Sequence, residues 1–168
     1  MRRLCALAAF AAAAFVGAPA MAWDIYSYPD AKFAVQFPTQ PRIGPGKYRT
    51  AAGLEVPSQV YLSRQGAVDY SLTLADFTGT ALDKDAAIAD AVKAFGQTGR
   101  VLVDVEARIN AEYGRELSID SRDGSRLVVA IFFFDQHLYV LDGHAAPPEP
   151  AGETANLIRF QQSLNFLR

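Results

Sequence analysis

The chain contains two histidines, each two residues after an aspartate: Asp135-x-His137 and Asp142-Gly143-His144. A carboxylate beside an imidazole suits general acid–base work or, with further ligands, a metal ion. His137, Asp142 and His144 are therefore the candidate ligands. Their spacing works against a shared ion. In an extended chain the Cα atoms of His137 and His144 stand roughly 23 Å apart, and His137 and Asp142 start on opposite faces of a strand. A reversal at Gly143 would shorten that distance. The expectation is a strand-edge histidine and a loop histidine, with no metal and no cofactor.

Paired carboxylates offer a second chemistry. Asp104 and Glu106 alternate along one strand face, about 6.6 Å apart at Cα, within the range that glycosidase-type acid pairs use. Cross-strand cations would make the same pair a solvated face. A serine hydrolase needs a strained nucleophile turn, but Gly-x-Ser-x-Gly is absent, and Gly124-Ser125 falls in the hairpin-turn sequence Arg122-Asp123-Gly124-Ser125. Asp120-x-x-Asp123-Gly124 has Arg122 where a calcium loop needs an acid, and no closing glutamate follows at the required distance. Gly44-Pro45-Gly46-Lys47 lacks phosphate-loop spacing, and its proline removes an amide donor. Arg100, Arg108, Arg115, Arg122 and Arg126 lie along one stretch with Tyr113 and Tyr139 nearby, and offer a surface for an anionic partner. Pairing with Asp and Glu across strands is the competing use of those cations. No set converges as a catalytic constellation, so no catalytic residue is assigned.

Composition narrows the rest. Of 168 residues, 51% are hydrophobic and 20% charged, enough for one domain with an ordinary core. Met1-Arg2-Arg3, an apolar run from Leu4 to Val16, the helix breakers Gly17 and Pro19, and Ala20-Met21-Ala22 follow the order of a secretory signal peptide. Cleavage is expected between Ala22 and Trp23, leaving residues 23–168 as a single periplasmic or secreted domain. Cys5, Met1 and Met21 all fall in the leader, so the remainder has no sulphur. Disulfides, a thiolate nucleophile, and thiolate-held zinc, iron–sulfur or haem groups are excluded there. Without Arg2 and Arg3, 14 Lys plus Arg face 18 Asp plus Glu, a net charge of −4 that argues against nucleic acid as partner. No other stretch approaches the ~20 apolar residues that span a bilayer, so no stable membrane span is expected after cleavage.

These groups must be positioned by elements that the hydrophobic pattern outlines. Phe33, Val35 and Phe37 alternate as a half-buried strand ended by Pro38 and Pro41. Gly44-Pro45-Gly46 and Ala51-Ala52-Gly53 read as turns. Leu54–Ser63 and Val68–Phe77 read as a hairpin about Gln65-Gly66. Between Asp83 and Gln97, Ile88, Ala91, Val92 and Phe95 recur at helical spacing, with Asp83 or Asp85 as cap. From Arg100 to Asn110, Val101, Val103, Val105, Ala107 and Ile109 are expected on a buried side, opposite a wet side. Arg115–Asp120 and Arg126–Phe134 form the next hairpin, and the second strand, apolar on both faces, is expected to be central. His137–Leu141 gives a further strand, His144–Gly152 a loop, and Glu153–Leu164 a closing helix. The fold class is α+β: a mainly antiparallel sheet of about six to eight strands covered by two helices.

Several of these stretches carry a resemblance. They are Phe33-x-Val35-x-Phe37-Pro38-x-x-Pro41, the strand Tyr70 to Asp76 before the helix, Tyr113-Gly114-Arg115-Glu116, Asp123-Gly124 before a long apolar strand, and Arg159-Phe160-x-x-Ser163-Leu164-x-Phe166. Together they resemble small exported bacterial proteins of unknown function with a PsbP-like α/β sandwich. The resemblance implies that fold, and an accessory or binding role in a larger assembly. It implies no photosynthetic role and no metal site, because no ligand motif matches. The expectation is an exported, non-catalytic binding or accessory protein of the bacterial cell envelope, with a protein or small ligand as partner. The alternatives are a small periplasmic hydrolase using carboxylates or histidine, and an envelope assembly protein acting through its surface alone.

Overall fold

The computed structural model describes residues 23–147 and 152–167. The leader expected over residues 1–22 lies outside them. The elements run β1 (Asp24–Tyr28), a single 3-10 turn (Pro29–Ala31), β2 (Phe33–Phe37), β3 (Arg42–Arg49), β4 (Glu55–Gln65), β5 (Val68–Asp76), α1 (Lys84–Gly96), β6 (Gly99–Ile109), β7 (Glu112–Ser121), β8 (Arg126–Phe134), β9 (His137–Ala145), α2 (Glu153–Gln161) and β10 (Asn165–Phe166). Seven strands form one sheet in the order β3-β4-β5-β9-β8-β7-β6, and three form a small second sheet, β1-β2-β10. Every neighbouring pair is antiparallel.

Alternation along the large sheet divides the apolar residues between two cores. Tyr70, Leu72, Ala130, Phe132, Tyr139 and Leu141 meet Phe33 and Phe37 of β2 and Leu157 and Phe160 of α2. Ala75, Leu117, Ile119, Val129, Ile131 and Val140 meet Ala87, Ile88 and Ala91 of α1 on the other face. β8 is buried from Leu127 to Phe133, as a strand apolar on both faces must be when layers cover both sides. Its neighbours Phe132 and Phe133 enter opposite cores. The two helices are fixed by different means. Asp83 caps α1 by accepting from the Ala86 amide at 2.8 Å. In α2, the buried Gln161 amide donates to the sheet carbonyls of Val129 at 2.7 Å and Leu117 at 3.3 Å.

Three expectations are corrected. Gly44-Pro45-Gly46 is not a turn but the middle of β3, where an end strand leaves half its backbone groups unpaired and so tolerates proline. Gly143 is not a reversal: β9 runs straight through it and His144 to Ala145. Its glycine gives Leu157 of α2 close approach to the sheet, since a Cβ there would sit 2.8 Å from Leu157 Cδ2 and force that side chain to shift. The third correction concerns β6. Instead of burying one side, Val101, Leu102, Val103 and Val105 are all 41–47% exposed. β6 is the last strand of its sheet, and the register shifts between Val101 and Val103, so Leu102 is an extra residue that reverses the alternation. Strands β1 and β10 were not marked by any pattern in the sequence. Ile25 of β1 is 70% exposed, and β10 has only two residues.

Candidate functional site

The histidines occupy opposite ends of β9. His137 pairs in register with Asp76, and His144 with Asp69, so the separation expected for an extended chain holds. His137 Nδ1 lies 2.6 Å from the Asp135 carbonyl oxygen, and Nε2 lies 3.9 Å from Asp76 Oδ1. A cleft of about 270 Å³ beside it is lined by Asp30, Lys32, Gln59, Asp135 and Tyr139. Lys32 closes on Asp135 at 2.6 Å, which holds the Asp135 carboxyl below the usual carboxylate range. That salt bridge joins two residues in the left-handed region, at φ 58° and 49°.

Asp142 and His144 share the other face of β9, but neither faces His137. Ser71, opposite Asp142 in the register, donates its hydroxyl to the carboxylate at 3.1 Å. Burial pushes the Asp142 carboxyl above the usual range, and the serine bond and His144 pull against that shift. Serine bonds the acid directly, with no imidazole between them, so the order of a nucleophile–base–acid relay is not met. Among the described residues no three His, Cys, Asp or Glu side chains come close enough to hold a metal ion.

The five arginines divide between the faces of the β6–β7–β8 meander. Arg100 and Arg126 converge on Asp120 at 2.6 and 3.0 Å and hold its carboxyl below the usual range. Arg115 Nε donates to Asp104 at 2.9 Å. Arg108 lies over the Tyr113 ring, 5.3 Å from its centre, and donates to the Asn110 carbonyl. Arg122 is exposed in the turn between β7 and β8. Asp104 and Glu106 do share a face, as their spacing implies, with Arg115 directly across the register from Glu106. Asp104 is held in an ion pair with Arg115, and both acids sit on an exposed, charged face.

What the sequence did not disclose is the ground beside these charges. α1 packs over β8 and β7 and reaches β6 and β9, and it leaves a groove of about 400 Å³ between itself and the β6–β7 hairpin. Ile88, Ala89 and Val92 form one wall, and Glu106, Tyr113 and Arg115 the other. Along its rim runs β6, whose aliphatic side chains stay exposed on both faces. On the opposite face of the same hairpin, burial raises the Glu116 carboxyl, and a hydrogen bond from Gln162 opposes the shift. The only sequence signal for this surface was the unbroken Val-Leu-Val-x-Val run. It signals a strand without saying whether anything covers it.

No family model and no curated protein matches the chain. Among solved structures, it is similar to the solution structure of cyanobacterial PsbP (CyanoP) from Synechocystis sp. PCC 6803, with a TM-score of 0.54 and 11% identity over 93% of this chain and 98% of that one. A crystal structure of a Pseudomonas aeruginosa protein of unknown function, PA94, described as a putative regulator, aligns with a TM-score of 0.41 and 16% identity over 83% of this chain and 94% of that one. At such identities a likeness speaks to backbone arrangement alone. Among the described residues, two helices, one seven-stranded antiparallel sheet and a small second sheet give this chain the PsbP-like α+β sandwich fold.

Proposed function

We propose that the protein is an exported, non-catalytic binding or accessory protein of the bacterial cell envelope, and that it works through the β6 side of its sheet. The observation that carries this reading is the exposed aliphatic run of β6 beside the α1 groove. Long apolar end strands invite pairing with other chains, and folds keep them open where contact is useful. The state of the polar groups supports the same reading. Asp104, Asp120 and Asp135 are held in ion pairs, and the two histidines lie at opposite ends of one strand. Export rests on the leader sequence.

A photo-crosslinking residue placed at Val105, with Ile43 of β3 as the control, tests the proposal in cells expressing the full chain. The expected result is fractionation with the periplasm and a discrete crosslinked product from position 105 but not from 43. Hydrolase turnover by the purified protein that disappears in His137→Ala or Asp104→Ala would overturn it.

A further inference from the structure

β6 ends the large sheet, so its outer row of backbone groups has no ladder partner among the described residues. Regular alternation runs from Val103, just past the register shift, to Ile109, just before the Asn110-Ala111 turn. Over that run Asp104, Glu106 and Arg108 share the α1 face, where Asp104 pairs with Arg115 and Arg108 covers Tyr113. Val103, Val105, Ala107 and Ile109 share the other face, and the last two pack against the β2–α2 core. Resting on the reading of β6 as a contact surface, we propose that β6 pairs antiparallel with β6 of a second copy of this chain, about a two-fold axis through Ala107.

The register follows from charge. A two-fold axis perpendicular to the sheet keeps each face on its own side, so residues that oppose one another must be compatible in pairs. An axis through Val105 would set Asp104 against Glu106 twice. An axis through Glu106 would set that carboxylate against its own copy, and an axis through Asp104 would do the same to Asp104. Only the axis through Ala107 places Glu106 opposite Arg108 of the second copy, twice by symmetry, with no like charges opposed. On the other face it sets Val105 against Ile109 twice and Ala107 against itself, so apolar meets apolar. The two α1 grooves then lie on the same side of one continuous sheet, flanking the junction. Few residues pair, so the dimer is weak and concentration-dependent.

Sedimentation of the protein purified after expression of the full chain, over a concentration series, tests this. The expected result is a reversible monomer–dimer equilibrium. Glu106→Arg or Arg108→Glu alone turns both symmetry-related pairs into like charges and raises the dissociation constant about tenfold or more. The double reversal E106R/R108E restores opposite charges and returns the constant to within about threefold of the starting value. Circular dichroism checks that each variant is folded, and Val105→Lys supplies an independent disruption from the apolar face. A protein that stays monomeric at the highest concentration overturns the pairing, as does a double reversal no better than the single ones. A β6 crosslink to a different protein, with the chain itself monomeric, also overturns it while leaving the binding role intact. Loss of every β6 crosslink overturns both.

Discussion

The two edges of the large sheet are built on opposite rules. β3, at one end, carries Pro45 between two glycines, with Arg42, Lys47 and Arg49 along it and Lys47 paired to Glu55 at 2.6 Å. β6, at the other end, runs eleven residues without proline and exposes four aliphatic side chains. Proline, glycine and cations are the ordinary means of blunting an edge against pairing with another chain. β3 uses all three. β6 has charges and one irregularity, at Leu102, which interrupts one end of the strand and leaves Val103–Ile109 regular. Both edges belong to the same sheet, so sheet formation does not account for the difference. The difference matches the contact proposed at β6.

The largest effect should come from cutting β6 off from the centre of the sheet. β6 touches the rest through β7, and β7 is joined to β8 where Gly114 lies under the Phe132 ring. A Cβ at Gly114 would lie 2.3 Å from the Ile131 carbonyl oxygen, a backbone atom with little room to yield. Gly114→Ala is expected to cost about 3 kcal/mol in urea unfolding. Hydrogen exchange should show faster opening in β6 and β7 than in β3 and β4. Equal acceleration at both edges would mean that the sheet opens as one unit. The next effect is on association. Pro45→Val with Lys47→Val makes β3 resemble β6, while leaving Gly46, where a Cβ would crowd Ser58 and Val60 at 2.9 Å. Light scattering should then show open-ended oligomers, because a chain with two sticky edges no longer closes as a pair. Unchanged mass would show that apolar character does not distinguish the edges.

That contrast was only half visible in the sequence. β8 could be placed at the centre because it is apolar at every position, and α1 by its helical spacing and the Asp83 cap. β3 could not be recognised, since Gly-Pro-Gly reads as a turn unless the strand is already known to lie at an edge. β6 could be recognised as a strand but not as an exposed one. Alternation reports which residues share a face, whereas exposure depends on where the helices come to rest: α1 sits mainly on β8 and β7 and only reaches β6, and α2 sits on β9 and β8. The histidine separation was legible because it needed only strand geometry. The Ser71–Asp142 contact was not, because it depends on β5 pairing with β9 across 71 residues of sequence.

Asp142 carries the centre of the sheet into pH dependence. Asp142, on central β9, has its carboxyl pushed up by burial. A group that binds its proton more tightly folded than unfolded favours the folded state at low pH, and that advantage is lost as pH rises through its raised folded value. Asp142→Asn keeps an oxygen to accept from Ser71 and removes the buried charge. It should raise the thermal midpoint at neutral pH and flatten the decline from mildly acidic to neutral conditions. A lower midpoint at neutral pH would show that the charge itself is needed there.

Replacing Asp104, on β6, should change stability far less. Its carboxylate and the Arg115 guanidinium are each about one-third exposed (34% and 37%), so water already competes for both. An asparagine oxygen at this position still accepts from Arg115 Nε, so the substitution removes charge but not the hydrogen bond. Asp104→Asn is therefore expected to shift stability by only about 0.5 kcal/mol, within the usual range for exposed pairs. The dimer equilibrium should stay unchanged, since the Ala107-centred register places Asp104 opposite Asn110 and outside the Glu106–Arg108 pairs. Urea midpoints and sedimentation measure the two quantities separately. A stability loss well above 1 kcal/mol would mean that this ion pair, and not the β7–β8 ladder, holds the edge in place. A weakened dimer would move the axis from Ala107 to Glu106, the register in which Asp104 faces Arg108.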